Sequence, residues 1–113
     1  MSAARAADAK GGRETVILAV GPAVFITDAF VITSALNARQ VRTITEEVEK
    51  QLKYAGAPPP LTVEGLDDAR WVLMDYGDFV VHVFLEEARD FYQLEGLWAD
   101  AEVWPWQVPA GVG

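Results

Sequence analysis

Cysteine is absent from the 113-residue chain, and histidine occurs once. The first absence excludes disulfide staples and thiolate metal sites and is compatible with a reducing compartment. With a single imidazole, a zinc site would need three carboxylates around His82, an unusual ligand set. Basic residues are also scarce: nine Lys and Arg stand against seventeen Asp and Glu, for a net charge of −8. Nucleic-acid binding draws its affinity from Lys and Arg neutralising phosphates, so this balance argues against it, and no sequence-specific nucleic acid is expected as a partner. The same field favours a basic protein. No apolar run approaches the roughly 18 residues a membrane helix needs, so no membrane partner is expected. The N-terminus has no apolar signal core and carries Asp8, which does not suit a transit peptide, so the expected location is cytoplasmic.

Catalytic motifs are missing as well. Neither G-x-G-x-x-G nor a Walker loop is present, and Ser34, which with His82 and Asp75 or Asp28 could form a triad on paper, lacks a nucleophile-elbow context. The more serious enzyme reading is a Mg²⁺-dependent nucleotidyltransferase that uses Asp28, Asp75, Asp78 and Ser34. Its pattern is poor, because Asp75 and Asp78 flank a turn and do not share a strand face as an Asp-x-Asp pair would. No cofactor is expected and no catalytic or metal-binding residues are assigned.

What is present is globular composition, 51% hydrophobic and 23% charged, over a length that suits one domain spanning residues 1–113. Ala3 to Lys10 predicts a short helix ended by Gly11 and Gly12. Thr15–Val20 and Ala29–Thr33 are continuous apolar runs that read as buried strands. Phe25 to Asp28 leads into the second, with the Asp28 carboxylate expected to hold turn amides. Ser34 or Asn37 caps the next helix, whose Val41, Ile44, Val48 and Leu52 form a stripe and whose Arg42 is expected to pair with Glu46. Gly56 and Pro58 to Pro60 stop it. Leu61 to Arg70 reads as an irregular connection. The order strand, strand, helix, hairpin, helix predicts an α/β (α+β) fold with one mixed sheet flanked by helices.

The most informative stretch runs from Trp71 to Trp98. W-V-L-M-D-Y and F-V-V-H-V-F-L flank Gly77-Asp78, a hairpin signal that sets Trp71 opposite Phe84, Leu73 opposite His82 and Asp75 opposite Val80. One hairpin face is then apolar: Val72, Met74, Tyr76, Phe79, Val81, Val83 and Leu85. The other places Asp75 diagonal to His82 among Trp71, Leu73, Val80 and Phe84, a polar pair that is either satisfied internally or open to a partner. Glu86 and Glu87 start a helix with Ala88, Phe91, Leu94, Leu97 and Trp98 on its apolar stripe, weakened by Gly96. The tail, with Trp104 and Trp106 around Pro105, reads as a short edge strand or an exposed aromatic hook.

From Trp71 to Phe84 and from Glu87 to Trp98 the sequence resembles the ribosomal silencing factor family, also called Iojap-like. The resemblance extends to Thr27–Ile32, to Asn37–Val41 at the helix start and to Glu64-Gly65, covering about residues 15 to 100. Ala35 departs from the Gly often found there, and the N-terminal helix is abbreviated. The resemblance implies a nucleotidyltransferase-like core without catalysis. It also implies a translational repressor that binds the large ribosomal subunit through ribosomal protein L-fourteen, blocks joining of the two subunits and damps translation when nutrients are scarce. Trp71 is then the expected interface anchor, with Asp75 and His82 on the same face and Glu64, Glu86 and Glu95 as partners for Lys or Arg. Arg89, Tyr92 and Trp98 complete the expected partner-binding set. Each has a bland alternative: Trp71 and Tyr92 in the core, His82 bonded to Asp75, and Arg89 in an internal salt bridge with Asp28 or Glu64. A homodimer of the free protein is the remaining alternative use of the apolar surface.

Overall fold

A computed structural model describes residues 2–21 and 27–106. Its elements are helix α1 (Ser2–Ala9), strands β1 (Arg13–Ala19) and β2 (Ala29–Ala35), helix α2 (Ala38–Tyr54), strands β3 (Thr62–Glu64), β4 (Trp71–Asp75) and β5 (Phe79–Leu85), helix α3 (Glu86–Tyr92), a 3-10 turn (Leu94–Trp98) and strand β6 (Glu102–Val103). They build one mixed six-stranded sheet in the order β3-β4-β5-β2-β1-β6. Only β2 and β5 run parallel, and α2 with the β3–β4 pair forms the crossover between them. The predicted α+β class and mixed sheet are what the chain adopts.

The hairpin register is the expected one, from Trp71 opposite Phe84 to Asp75 opposite Val80. Gly77 supplies the positive φ of the loop (88°), and the Asp75 carboxylate accepts its N–H at 2.8 Å. Side-chain alternation then divides the sheet into two faces of different fate. Ile17, Val31, Val72, Met74, Val81 and Val83 lie under α1 and α2 and are sealed. Helix α1 contributes by its small side chains: Ala3, Ala4, Ala6 and Ala7 are buried, so its backbone sits close to its neighbours. On the opposite face Leu18, Val20, Ile32 and Phe84 are covered, among the described residues, by α3, the turn after it and Ala101. That cover is short, and Val16, Phe30, Leu73 and Val80 stay half-buried.

Several local expectations need correction. Asn37 rather than Ser34 caps α2, its side chain accepting from Gln40 N–H at 2.8 Å, while Ser34 is buried inside β2. Gln40 reaches back to the Leu36 N–H and donates to the carbonyls of Lys10 and Gly11, which fixes the α2 start against the end of α1. Arg42 does not pair with Glu46. It donates instead to the carbonyls of Leu66 and Asp67 and so holds the loop before β4. Leu61 to Arg70 is not wholly irregular, since Thr62–Glu64 pairs antiparallel with β4. Asp28 acts through its backbone: its carbonyl accepts from Val20 and Gly21 N–H, and its N–H donates to the Asp78 carbonyl. Phe25 and Ile26 lie outside the described residues, as does the tail beyond Trp106. Glu102–Val103 pairs with β1, which is the edge-strand alternative for the tail.

Gly65, in the Glu-Gly pair before the hairpin, adopts φ 91°, and a Cβ there would collide with the Trp71 carbonyl oxygen. Gly65→Ala is therefore expected to destabilise the fold by roughly 1–3 kcal/mol from backbone strain alone, with the collision adding to it. Urea unfolding monitored by circular dichroism checks this; a midpoint equal to the wild type would show that the strand edge relaxes freely.

Candidate functional site

The incompletely covered sheet face is where the sequence-predicted residues gather, and the way α3 ends determines its shape. A continuous helix from Glu86 through Trp98 is expected from the apolar stripe, but α3 stops at Tyr92 because Gln93 turns left-handed (φ 47°, ψ 49°). The chain folds back as the 3-10 turn, and Trp98 meets Phe30 edge-on at 5.7 Å between ring centres. Two residues expected in the core stripe are left in solvent: Phe91 is 78% exposed and Leu97 76%. Sequence reasoning therefore missed them as surface groups. The weakening Gly96 was the one local hint.

Arg89 explains where the turn is held. It is 5% exposed, and its guanidinium donates from Nε to Glu95 Oε1 (2.7 Å), from Nη1 to Ser34 Oγ (2.7 Å) and the Arg13 carbonyl (3.2 Å), and from Nη2 to Glu95 Oε2 and the Glu14 carbonyl (both 2.8 Å). Every one of its five N–H groups is satisfied inside the protein. This corrects the expectation of a partner-facing Arg89, and its ion-pair partner is Glu95 rather than Asp28 or Glu64. The Arg89 hydrogen bonds hold the half-buried Glu95 carboxyl below its usual pKa, the guanidinium charge adding to them against the opposing effect of burial.

Trp71 lies at the centre of an aromatic group. It stacks on Phe84 at 4.8 Å and tilts against Tyr92 at 5.0 Å, and its Nε1–H donates to His82 Nδ1 at 3.0 Å. Phe30 meets the other side of the imidazole at 4.7 Å. His82 is 3% exposed, and burial pushes its pKa down to about 4, so it is neutral near pH 7. Because Nδ1 accepts, the ring proton is assigned to Nε2. The anticipated Asp75–His82 bond does not form: Asp75 bonds to Gly77 and His82 to Trp71.

Of the remaining expected site residues, Tyr92 is 49% exposed rather than core. Trp98 and Trp71 are half-buried, and Glu64 is exposed beside Leu73 at the sheet edge. Glu86 is exposed and pairs with Arg13 at 3.3 Å. Between residues 86 and 102, Glu86 and Glu95 are paired with Arg13 and Arg89, while Glu87, Asp90, Asp100 and Glu102 are exposed. The surface is thus apolar and aromatic with an acidic surround. Such a surface can bind a basic protein, since apolar contact gives affinity and opposite charge speeds encounter.

The four residues of the enzyme alternative are divided, with Asp28 beside Asp78, whose carbonyl accepts its N–H, and Ser34 apart from them. Ser34 and Asp28 stand at opposite ends of β2, about 20 Å apart along an extended strand. Among the described residues, no three His, Asp or Glu side chains converge to hold a metal. Likewise, no described helix is long and apolar enough to cross a membrane.

Comparison with known proteins decides the family. The model of the family described as "Ribosomal silencing factor during starvation" matches residues 1–110. The chain belongs to the ribosomal silencing factor family. It is 39% identical over 99 residues to the ribosomal silencing factor of Bacillus subtilis, spanning 88% of this chain and 83% of that one. It is 32% identical over 98 residues to the chloroplastic protein Iojap of Arabidopsis thaliana, spanning 85% of this chain and 39% of the longer plant protein. A crystal structure from Chromobacterium violaceum superimposes with a TM-score of 0.83 at 30% identity, covering 98% of this chain and 91% of the other. The relatives' names are regulatory rather than enzymatic, and the family places this chain in ribosome-associated control of translation.

Proposed function

We propose that this silencing factor is a translational repressor that docks on the large ribosomal subunit through ribosomal protein L-fourteen and blocks joining of the small subunit by bulk alone, in the cytoplasm, when nutrients are scarce. The observation that carries this reading is the aromatic surface around Trp71, Tyr92 and Trp98, extended by exposed Phe91 and Leu97 and surrounded by acids, on a member of a family named for silencing ribosomes. An apolar centre with a charged margin is the anatomy of a protein interface. Steric exclusion needs no cofactor and no turnover.

Light scattering of purified subunits mixed with increasing protein tests the reading. Joining should fall in proportion to occupancy and reach a floor near one protein per large subunit, with the protein co-sedimenting with free large subunits and absent from joined ribosomes. Full joining at saturating protein would contradict it. Raising salt from 0.1 to 0.5 M should weaken binding several-fold, because screening removes the attraction between the acidic surround and a basic partner.

A further inference from the structure

Two side-chain-bearing residues are held in left-handed backbone beside one buried arginine, Arg89. Gln93 (φ 47°) ends α3, and Glu14 (φ 48°) lies in the irregularity of β1 between Arg13 and Val16. Such conformations are uphill for any residue but glycine, and they persist where surrounding contacts over-determine them. Here both border Arg89: the β1 irregularity presents the successive carbonyls of Arg13 and Glu14 to its guanidinium, and the turn at Gln93 returns Glu95 to its other edge.

We propose that the Arg89–Glu95 pair is a positioning latch that folds Leu94–Trp98 back onto the open sheet face and so builds the wall of the docking surface that carries Leu97 and Trp98. Resting on the docking reading, this assigns Arg89 and Glu95 to shaping the interface rather than to touching the partner. Without the carboxylate, the left-handed turn at Gln93 loses what offsets it, and the segment from Gln93 to Trp98 opens into solvent. The wall then swings off Phe30. Glycine at position 93 should make the turn without strain, so it should restore the wall even when the latch is broken.

Glu95→Gln, Gln93→Gly and the double variant separate this from a direct contact. Amide hydrogen exchange is read at Gln93 and Gly96, whose N–H groups donate to the Arg89 and Gln93 carbonyls, and affinity is read by co-sedimentation with purified large subunits. Glu95→Gln should speed exchange at these amides and weaken binding, each at least tenfold, while exchange in β2 and β5 stays as in the wild type. Adding Gln93→Gly should recover both by a factor of three or more. Unchanged exchange in Glu95→Gln with weakened binding would instead assign Glu95 to the partner, and fast exchange with wild-type binding would remove the wall from the interface; either result overturns the latch. If the wild type itself does not co-sediment, the docking reading fails first, and the latch as an interface device falls with it.

Discussion

Replacing Phe91 and Leu97 together by aspartate should abolish co-sedimentation with large subunits, weakening binding at least ~100-fold, while leaving the fold intact. The size follows from what interface hot spots carry, about 2 kcal/mol or more each, with the added charge opposing burial against any apolar partner group. Both side chains lie largely in solvent (78% and 76% exposed), so the folded state gives up little by losing them. Trp71 is a poorer probe than its sequence position suggests. Trp71→Glu would remove the donor to His82 Nδ1 and the stack on Phe84 as well as any contact with a partner, so lost binding would be confounded with lost folding. Thermal unfolding of the double variant alongside the binding measurement separates the two effects; retained binding would place the interface elsewhere.

The second large effect is on stability in acid. His82 is neutral in the fold, with its pKa pushed from 6.5 down to about 4, so the unfolded chain binds a proton there more readily than the native protein does. The contribution of the neutral ring is therefore fully present above pH 6.5, is lost progressively as pH falls to about 4, and amounts to roughly 3 kcal/mol. Protonation would also make Nδ1 a donor facing the Trp71 donor, and so break the bond that orients the indole. The depressed Glu95 carboxyl acts in the same direction in a lower window, below its ordinary 4.5. Urea unfolding from pH 7 to pH 4.5 should show the decline, and His82→Gln, whose amide oxygen can still accept from Trp71, should remove most of it. Parallel wild-type and variant curves across that range would mean the imidazole is solvated.

Where the sequence is legible and where it is not has a physical pattern. The hairpin register, the α2 stripe of Val41, Ile44, Val48 and Leu52, and the sealed face of β4 and β5 follow from period and turn chemistry within a few residues. What escapes is set by distant groups. Arg89 takes acceptors from Arg13, Glu14 and Ser34, more than fifty positions away, and nothing around Gln93 announces a left-handed residue once those contacts are set aside. Hence Phe91 and Leu97, which a helical wheel assigns to the core, end on the surface. The Trp71–His82 bond was missed for a related reason: register puts Asp75 and Trp71 at comparable distance from His82, and the Gly77 amide captures the carboxylate first. The three residues of β3 alternate over too short a span to be read, and they pair because the Arg42 bonds to the following loop and the close approach at Gly65 bring them to β4.

A structure of the protein bound to the large subunit tests the central claim most directly. Phe91, Tyr92, Leu97 and the rim of Trp71 should lie against a basic face of ribosomal protein L-fourteen, with the body of the domain standing where the small subunit would sit. Contact through the α1 and α2 side of the sheet, or a position that leaves the joining face of the subunit clear, would contradict it.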